Sequence, residues 1–223
     1  SSRDVQRDNS GTCKEVEKLL GEGKTGLYSG TPCQIAGLKG FLRKDYDNLY
    51  TMDVICHGVA SPKLFAKYLE WLGGKMGGKI IYYDFRDKST GWGLDYMTMT
   101  KTKTKTKTKP CSLDPYYHHF LAGDTYRECC YHCLYSQKER VSDITIGDYW
   151  GIEKEHPSFF STKGVSCLLV NTEKGKRLWN LISPEFVSLE STFDKIANAN
   201  HNLKHPTVKP AIRDGIYDGI DTL

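Results

Sequence analysis

The sequence predicts an α+β fold with a mixed sheet, in which an N-terminal β-α-β-α parallel unit is accompanied by flanking helices. Two observations predict this class. Strand-like and helix-like segments alternate between residues 26 and 72, and such alternation favours parallel strands joined by a right-handed crossover. Further strand-like segments follow residue 79, after a glycine-rich break. The 223 residues suffice for one large domain or two small ones.

The parallel unit can be followed element by element. Residues 13–20 have the apolar spacing of an amphipathic helix, and residues 26–29 form a short buried strand. Pro32 then occupies the first position of a helix, where its missing N–H costs nothing. Residues 49–56 form the next strand, and Ser61-Pro62 begins a helix with an apolar stripe.

The rest of the chain contains more strands. The expected elements are strands at 80–85, 141–146 and 164–170 and helices at 113–121 and 174–182. Residues 98–109 alternate Thr and Lys almost perfectly, which permits a strand with a threonine face and a lysine face. We interpret this stretch as a solvated edge strand or a mobile loop in preference to a nucleic-acid-binding stripe.

Three divisions of the chain follow from these elements and from the motifs described below. Residues 1–74 are predicted to be a partial N-terminal domain, residues 75–190 a C-terminal domain, and residues 191–223 a polar, loop-rich tail. The glycine-rich stretch at residues 73–78 marks the first boundary.

Composition restricts the functional class. The formal net charge of +4 is a mild excess that gives only weak support for an anionic ligand. The sequence has no apolar run long enough to cross a bilayer and no signal-peptide core at its first residues. Eight cysteines in such a chain fit reduced thiols or metal ligands better than disulfides. We therefore expect a cytoplasmic protein.

Two cysteines follow the two predicted parallel strands. Cys33 lies in the first turn of a helix, where exposed N–H groups and the helix dipole stabilise a thiolate. Cys56 ends the second strand. Both positions lie beyond the carboxyl ends of neighbouring strands, the edge at which open α/β sheets usually bind ligands. For either cysteine alone, a buried and inert thiol is the alternative.

A CxxC pair, Cys130 and Cys133, adds two more thiols. Its position between a helix and a strand disfavours a thioredoxin-like dithiol, which would open a helix after a strand. Zinc stays open, because two histidines can complete a site with this pair. Four thiolates, Cys33, Cys56, Cys130 and Cys133, suit a [4Fe–4S] cluster better than zinc, for which no second CxxC follows.

Charged residues near these cysteines are candidates to bind phosphate groups. Arg86, Lys88, Arg127 and Arg140 are the cations concerned, with an exposed salt bridge as the alternative for each. Gly, Asp and aromatic residues are dense at 143–151, around the end of a predicted strand, which indicates a site there.

Five ordered motifs resemble those of the coenzyme F420 hydrogenase/dehydrogenase beta-subunit family. Residues 30–38 (GTPCQIAGL) are similar to its GTPCQ(I/V)AGL signature, and residues 53–62 (DVICHGVASP) to its second motif. The other three similarities are at residues 85–92, at residues 127–135 with 140–151, and at residues 163–172. The resemblance spans about residues 13–185 and is too extensive for chance.

This resemblance implies an oxidoreductase, namely a flavoprotein that carries FAD and a [4Fe–4S] cluster and exchanges electrons with a hydride acceptor such as coenzyme F420. Its partners would be a ferredoxin-like domain or electron-transfer subunit and a redox-active small molecule, with no nucleic acid. The implied cluster ligands are Cys33, Cys56, Cys130 and Cys133. The implied flavin-pocket residues are Gly30, Thr31, Gln34, Arg86, Lys88, Gly147 and Asp148.

Three departures from the family pattern bear on these expectations. The N-terminal ferredoxin-like module with several CxxC motifs, frequent in relatives, is not in this sequence. Cys129 stands where relatives usually have Ser, which makes it an alternative ligand to Cys130. The Thr-Lys repeat replaces a more varied strand and hairpin. The alternative function is a non-catalytic docking or assembly domain of the same fold that binds zinc or no metal.

Overall fold

The structure is a computed structural model that describes residue 9 and residues 11–87 and 97–220. Its α-helices, in chain order, are α1 (Thr12–Gly21), α2 (Pro32–Leu42), α3 (Pro62–Met76), α4 (Pro115–Leu121), α5 (Glu128–Tyr131), α6 (Ile152–Glu155), α7 (Glu173–Ile182), α8 (Phe193–Ala197) and α9 (Arg213–Asp218). Its strands are β1 (Gly26–Gly30), β2 (Leu49–Val54), β3 (Tyr82–Asp87), β4 (Met97–Lys101), β5 (Thr106–Pro110), β6 (Ile144–Asp148) and β7 (Ser166–Val170). Short 3-10 turns cover Cys111–Leu113, Pro157–Phe159, Ser183–Glu185 and His201–Leu203.

One sheet has the strand order β1-β2-β6-β7. Strands β1, β2 and β6 run parallel, and β7 is antiparallel to β6. The predicted α+β class, with a mixed sheet that begins with a parallel β-α-β-α unit, is confirmed. Helices α1 and α2 cover β1 and β2 with an apolar cluster that includes Ile35 and Leu38, both fully buried. Burial of each such side chain stabilises the fold by about 1.5–3 kcal/mol.

The other sheet is antiparallel, with the order β3-β4-β5. The Thr-Lys repeat folds into the β4-β5 hairpin instead of a single strand. On β4, the central strand, the side chains of Thr98 and Thr100 are buried. Strand β5 is mostly exposed. The expected threonine face therefore exists on β4, and the expected solvated edge is β5.

The chain divides into two compact units. Among the described residues, the first unit contains residues 57–87, 97–132 and 207–220, and the second contains residue 9 and residues 11–56 and 133–206. Each unit is discontinuous in sequence, so neither follows the predicted boundaries near residues 74 and 190. Those boundaries stay a prediction about family domains. Within the described residues, the helices are too short or too polar to span a membrane.

Candidate functional site

The carboxyl ends of the parallel strands meet at one edge of the four-stranded sheet. Gly30 pairs with Asp53, and Asp53 pairs with Thr145. Gly30 and Asp53 are paired on parallel strands, and Cys33 and Cys56 follow these two residues by the same number of positions. As predicted, both cysteines therefore lie beyond the same edge of the sheet. Sheets of this kind usually bind ligands at that edge.

The turn that carries Cys33 is built by its neighbours in the motif. Thr31 caps α2 in a capping box with Gln34, whose Oε1 accepts a hydrogen bond of 3.0 Å from the Thr31 N–H. A Cβ at Gly30 would lie 2.9 Å from Gln34 Oε1, so a side chain there would displace this capping amide. Pro32 takes the first helical position. These contacts expose Cys33 in the first turn, with its Sγ 3.1 Å from Thr31 Oγ1.

Gly30, Thr31 and Gln34 thus have a structural explanation that does not involve a ligand. They form the strand-to-helix turn and present the Cys33 thiol. Whether they also contact a flavin stays a prediction.

A buried ion pair lies at the end of β2. Arg140 Nη2 is 3.1 Å from Asp53 Oδ1, and both side chains are almost completely buried. The Asp53 Oδ2 atom has no hydrogen-bond partner among the described residues. The sequence offered two interpretations of Arg140, a phosphate-binding cation and an exposed salt bridge; the structure shows a salt bridge, but a buried one. Its charge is already engaged inside the protein.

Arg140 also joins the segments that carry two of the candidate ligands. Its Nη1 donates to the carbonyl of Tyr135 at 2.8 Å, and its Nη2 donates to that of Val54 at 3.4 Å. Tyr135 follows Cys133 by two residues, and Val54 precedes Cys56 by two. The planar guanidinium fork therefore fixes the backbone next to both cysteines with a geometry that the single ammonium of a lysine does not reproduce.

Gly147 and Asp148 end β6 at the same sheet edge. A Cβ on Gly147 would lie 2.7 Å from Ile55 Cδ1, so glycine allows Ile55 to pack against the strand. The thiol of Cys167 donates to the carbonyl of Gly147 at 3.4 Å. Burial raises the pKa of the Cys167 thiol to about 12, so it stays protonated at neutral pH. Cys167 is thus a packed thiol, in contrast to the exposed Cys33.

The other unit carries the Cys129-Cys130 segment. The N–H of Arg127 donates to the carbonyl of Val59 at 2.9 Å, and Ala60 pairs with Tyr126 in an isolated antiparallel bridge. Cys130 is half-buried against the apolar core, with its Sγ 4.0 Å from the Val59 carbonyl oxygen. Cys129 is exposed. The adjacent thiols therefore face different surroundings.

Tyr126 is a residue whose role the sequence did not reveal. Its hydroxyl forms a hydrogen bond with Nδ1 of His57, and its ring packs against the backbone of Gly58. Gly58 has φ +138°, which side-chain-bearing residues rarely adopt. The backbone conformation of His57-Gly58 in the second motif therefore accommodates the side chain of Tyr126. This contact was difficult to predict from the sequence, because Tyr126 lies 69 residues from His57.

The remaining predicted pocket residues are Arg86 and Lys88. Arg86 lies on β3, in the unit formed by residues 57–132 and 207–220, and its Nε donates to the hydroxyl of Tyr117 at 3.1 Å. Lys88 lies outside the described residues. The structure thus brings Gly30, Gly147 and their neighbours to one sheet edge but assigns Arg86 to the other unit.

The thiols have the chemistry that an iron–sulfur cluster requires. All eight cysteines lie in the described parts of the chain, and none of them forms a disulfide. Over residues 9, 11–87 and 97–220, no three His, Cys, Asp or Glu side chains form a group that can hold a metal ion. In a [4Fe–4S] cluster each cysteine binds a different iron, whereas a single ion gathers all its ligands around one centre. Thiolates are the donors that such a cluster binds, but the ligand assignment stays a prediction, because Cys130 lies in one compact unit and Cys33, Cys56 and Cys133 lie in the other.

A family model decides the relationship that the motifs indicated. The model describes the C terminus of the beta subunit of coenzyme F420 hydrogenase/dehydrogenase, and it matches residues 23–194. The chain belongs to this family. Its members are named after hydrogenases and dehydrogenases, which are oxidoreductases, so the family connects the chain with redox chemistry.

A solved structure is also similar to the chain. It is the F420-reducing [NiFe] hydrogenase complex from Methanosarcina barkeri, in a xenon derivative, with 14% sequence identity and a TM-score of 0.44. The match covers 95% of this chain and 64% of the matched chain. This similarity is too low for a residue-by-residue comparison. No curated protein sequence matches the chain.

Proposed function

We propose that this chain is an iron–sulfur flavoprotein oxidoreductase domain. It would pass electrons between a [4Fe–4S] cluster, FAD and a hydride acceptor such as coenzyme F420 or another flavin-reducible substrate. The observation that carries this proposal is the family match together with thiols at the carboxyl edge of the parallel sheet. The family name refers to a beta subunit, which supports a ferredoxin-like domain or another electron-transfer subunit as the partner.

The residues of the chain would contribute ligands and their positioning. Cys33, Cys56, Cys130 and Cys133 would bind the cluster. The Thr31 hydroxyl, 3.1 Å from Cys33 Sγ, would donate a hydrogen bond to the thiolate, and the first N–H groups of α2 would stabilise its charge. Arg140 would hold the backbone beside Cys56 and Cys133.

FAD, when bound, supplies two-electron hydride exchange on one side and single-electron exchange with the cluster on the other. Gly147 and Asp148 are the candidates to approach it, since they end β6 at the sheet edge. Gly30, Thr31, Gln34, Arg86 and Lys88 complete the proposed set. The cluster bound by the cysteines would transfer single electrons, and the flavin would exchange hydride.

The first test is the cofactor content of the protein. It should be purified without oxygen, reconstituted with iron, sulfide and FAD, and then analysed for iron, flavin and visible absorption. We expect about four irons per chain and a flavin spectrum. A colourless protein that stays free of iron and flavin after reconstitution would contradict the proposal. Stoichiometric zinc without flavin would support the docking-domain alternative instead.

Single Cys→Ser variants sharpen this test. Cys33→Ser, Cys56→Ser, Cys130→Ser and Cys133→Ser should each lower the iron content and bleach the cluster absorption. Cys13→Ser is the matched control, because Cys13 also forms no disulfide but lies outside the motifs. Comparison of Cys129→Ser with Cys130→Ser decides between the adjacent thiols. Equal iron content in Cys33→Ser and Cys13→Ser would remove Cys33 from the ligand set.

A further inference from the structure

The C-terminal segment, defined here as residues 207–220, lies beyond the residues that the family model matches. It belongs to the same compact unit as residues 57–132. Ile220 is buried in the apolar core of that unit, and Ile216 and Tyr217 pack against this core. The segment is therefore an integral part of the unit that carries Cys129 and Cys130.

Two hydroxyl groups of the segment bind backbone near the cysteines. Thr207 Oγ1 donates to the carbonyl of His57 at 2.8 Å. The hydroxyl of Tyr217 donates to the carbonyl of Thr125 at 2.7 Å and accepts from the N–H of Ser61 at 3.2 Å. One tyrosine hydroxyl thus connects the backbone after Cys56 with the backbone before Cys129.

Arg213 adds a second connection to the same place. Its Nε and Nη2 both donate to the carbonyl of Tyr126, each at 3.3 Å. Its Nη1 lies 3.2 Å from Glu128 Oε2, and its guanidinium stacks on the ring of Tyr217 at 4.1 Å. Lys209 Nζ reaches the same Glu128 carboxylate at 3.1 Å. Glu128, the residue before Cys129, is therefore held by two cations.

Helix α5, which carries both cysteines, has only four residues. A helix of one turn is not stable by itself, so its orientation depends on tertiary contacts. Within the described residues, these contacts include the hydrogen bonds of the C-terminal segment and that of the Tyr131 hydroxyl with the Gly123 carbonyl. In this orientation Cys130 is half-buried and Cys129 is exposed.

We propose that the C-terminal segment is a clamp that fixes the rotation of α5, with Arg213 and Tyr217 as its positioning residues. The clamp turns Cys130 inwards and leaves Cys129 outside. The function of Cys130 as a ligand rests on the proposed function above, whereas the clamp itself does not require any cofactor. Arg213 and Tyr217, which are distant from α5 in the sequence, would then decide which of the two adjacent thiols binds the cluster.

The test is thiol alkylation of the reduced full chain before any reconstitution. Iodoacetamide labelling is followed by tandem mass spectrometry, which separates Cys129 from Cys130. Tyr217→Phe removes one hydroxyl without a change of charge, and Arg213→Ala removes the guanidinium. Tyr82→Phe and Arg177→Ala are matched controls at exposed positions.

In the wild type and the controls, Cys129 should react faster than Cys130. In Tyr217→Phe, Cys130 should react about 25-fold faster, because the variant loses two hydrogen bonds that resist local opening and each contributes a factor of about five. The rate at Cys33, in the other unit, should not change. Hydrogen exchange of the amides of residues 125–131 should become faster, while that of β4 stays the same.

Two results would overturn the clamp. One is an unchanged Cys130 rate with unchanged exchange at residues 125–131 in both variants. The other is an equal acceleration at all cysteines, since this indicates global unfolding instead of local release. Iron binding is measured separately on reconstituted samples. If the wild type binds no iron, the proposed function fails, but the alkylation result still decides the clamp.

Discussion

Two charged networks hold the segments that carry the candidate ligands, and they are built in opposite ways. In one unit, Arg140 and Asp53 form an ion pair that is removed from solvent. In the other, Lys209 and Arg213 surround Glu128, whose side chain is 52% exposed. Both networks act on backbone near cysteines. Their energetic consequences should differ, because water screens exposed charges but not buried ones.

The buried pair is expected to contribute to the stability of the fold, whereas the exposed network is expected to adjust local structure. A buried pair becomes costly as soon as one partner is lost, because the other charge is left without compensation. An exposed network loses little when one member is removed, since water and the remaining ions replace it. We therefore expect changes in the Arg140 network to lower the stability of its unit, and changes in the Glu128 network to alter only the local position of α5.

The largest effect should come from Arg140→Met. This change leaves the Asp53 carboxylate buried without a cation and should lower the free energy of unfolding by about 3–5 kcal/mol. Urea unfolding measures the loss. Arg177→Met, at an exposed position on α7, is the control and should change stability by less than about 0.5 kcal/mol. A loss below about 1 kcal/mol for Arg140→Met would refute the contrast between the two networks.

A smaller effect, dependent on pH, is expected for the buried Asp143. Burial works to raise the pKa of this carboxyl, but hydrogen bonds from Thr172 and Thr51 prevail and lower it below the ordinary value of 3.8. Thr51→Val removes the donor that lies 2.8 Å from Asp143 Oδ2. At pH 7 it should lower the free energy of unfolding by about 1.5–3 kcal/mol, as for other hydrogen bonds to a charged group.

The sign of the pH dependence is fixed by this lowered pKa. The stabilisation by ionised Asp143 is fully present above pH 3.8 and is lost as the pH falls through the pKa of the folded state. The difference between Thr51→Val and the wild type should therefore shrink in that acid range. Thr125→Val is the control, because Thr125 Oγ1 is buried without a partner among the described residues. A pH-independent difference would show that Thr51 acts by packing alone.

The smallest effect is expected for Asp214→Asn. Asp214 pairs with Lys209 and Arg213, hydrogen bonds from both cations lower its pKa, and its side chain is 60% exposed. Both cations keep Glu128 as a partner after this change. The melting temperature should stay within error of the wild type at low and at high salt. A decrease similar to that of Arg140→Met would mean that the exposed network also determines the fold.

Local sequence signals predicted much of the sheet edge. The threonine, proline and glutamine of residues 31–34 form a strand-to-helix turn because each satisfies a local backbone requirement of that turn. The positions of Cys33 and Cys56 followed from the alternation of strands and helices, which the register of β1 and β2 confirms. These features were predictable because their physical causes lie within a few residues.

The Thr-Lys repeat shows where a local pattern is insufficient. Period two is compatible with a strand, but it contains no glycine or proline to mark a turn. The turn arises because Thr102 Oγ1 accepts a hydrogen bond of 3.0 Å from the N–H of Lys105. Any threonine in the repeat has the same hydroxyl. The register of β4 against β3, in which Lys101 pairs with Tyr82, places Thr102 at the turn.

By itself, the sequence determined the α+β class, the family and the cysteines that deserve testing, because motifs and periodicity are local in the chain. The tertiary structure alone decided the partners of the charges. Arg140 meets Asp53 across 87 positions, and Tyr217 meets Thr125 across 92. Hydrogen bonds over such separations depend on how the sheets and helices pack, and no local pattern encodes them. For that reason an apparent phosphate ligand proved to be a buried ion pair, and a polar C-terminal stretch contributes Ile220 to an apolar core.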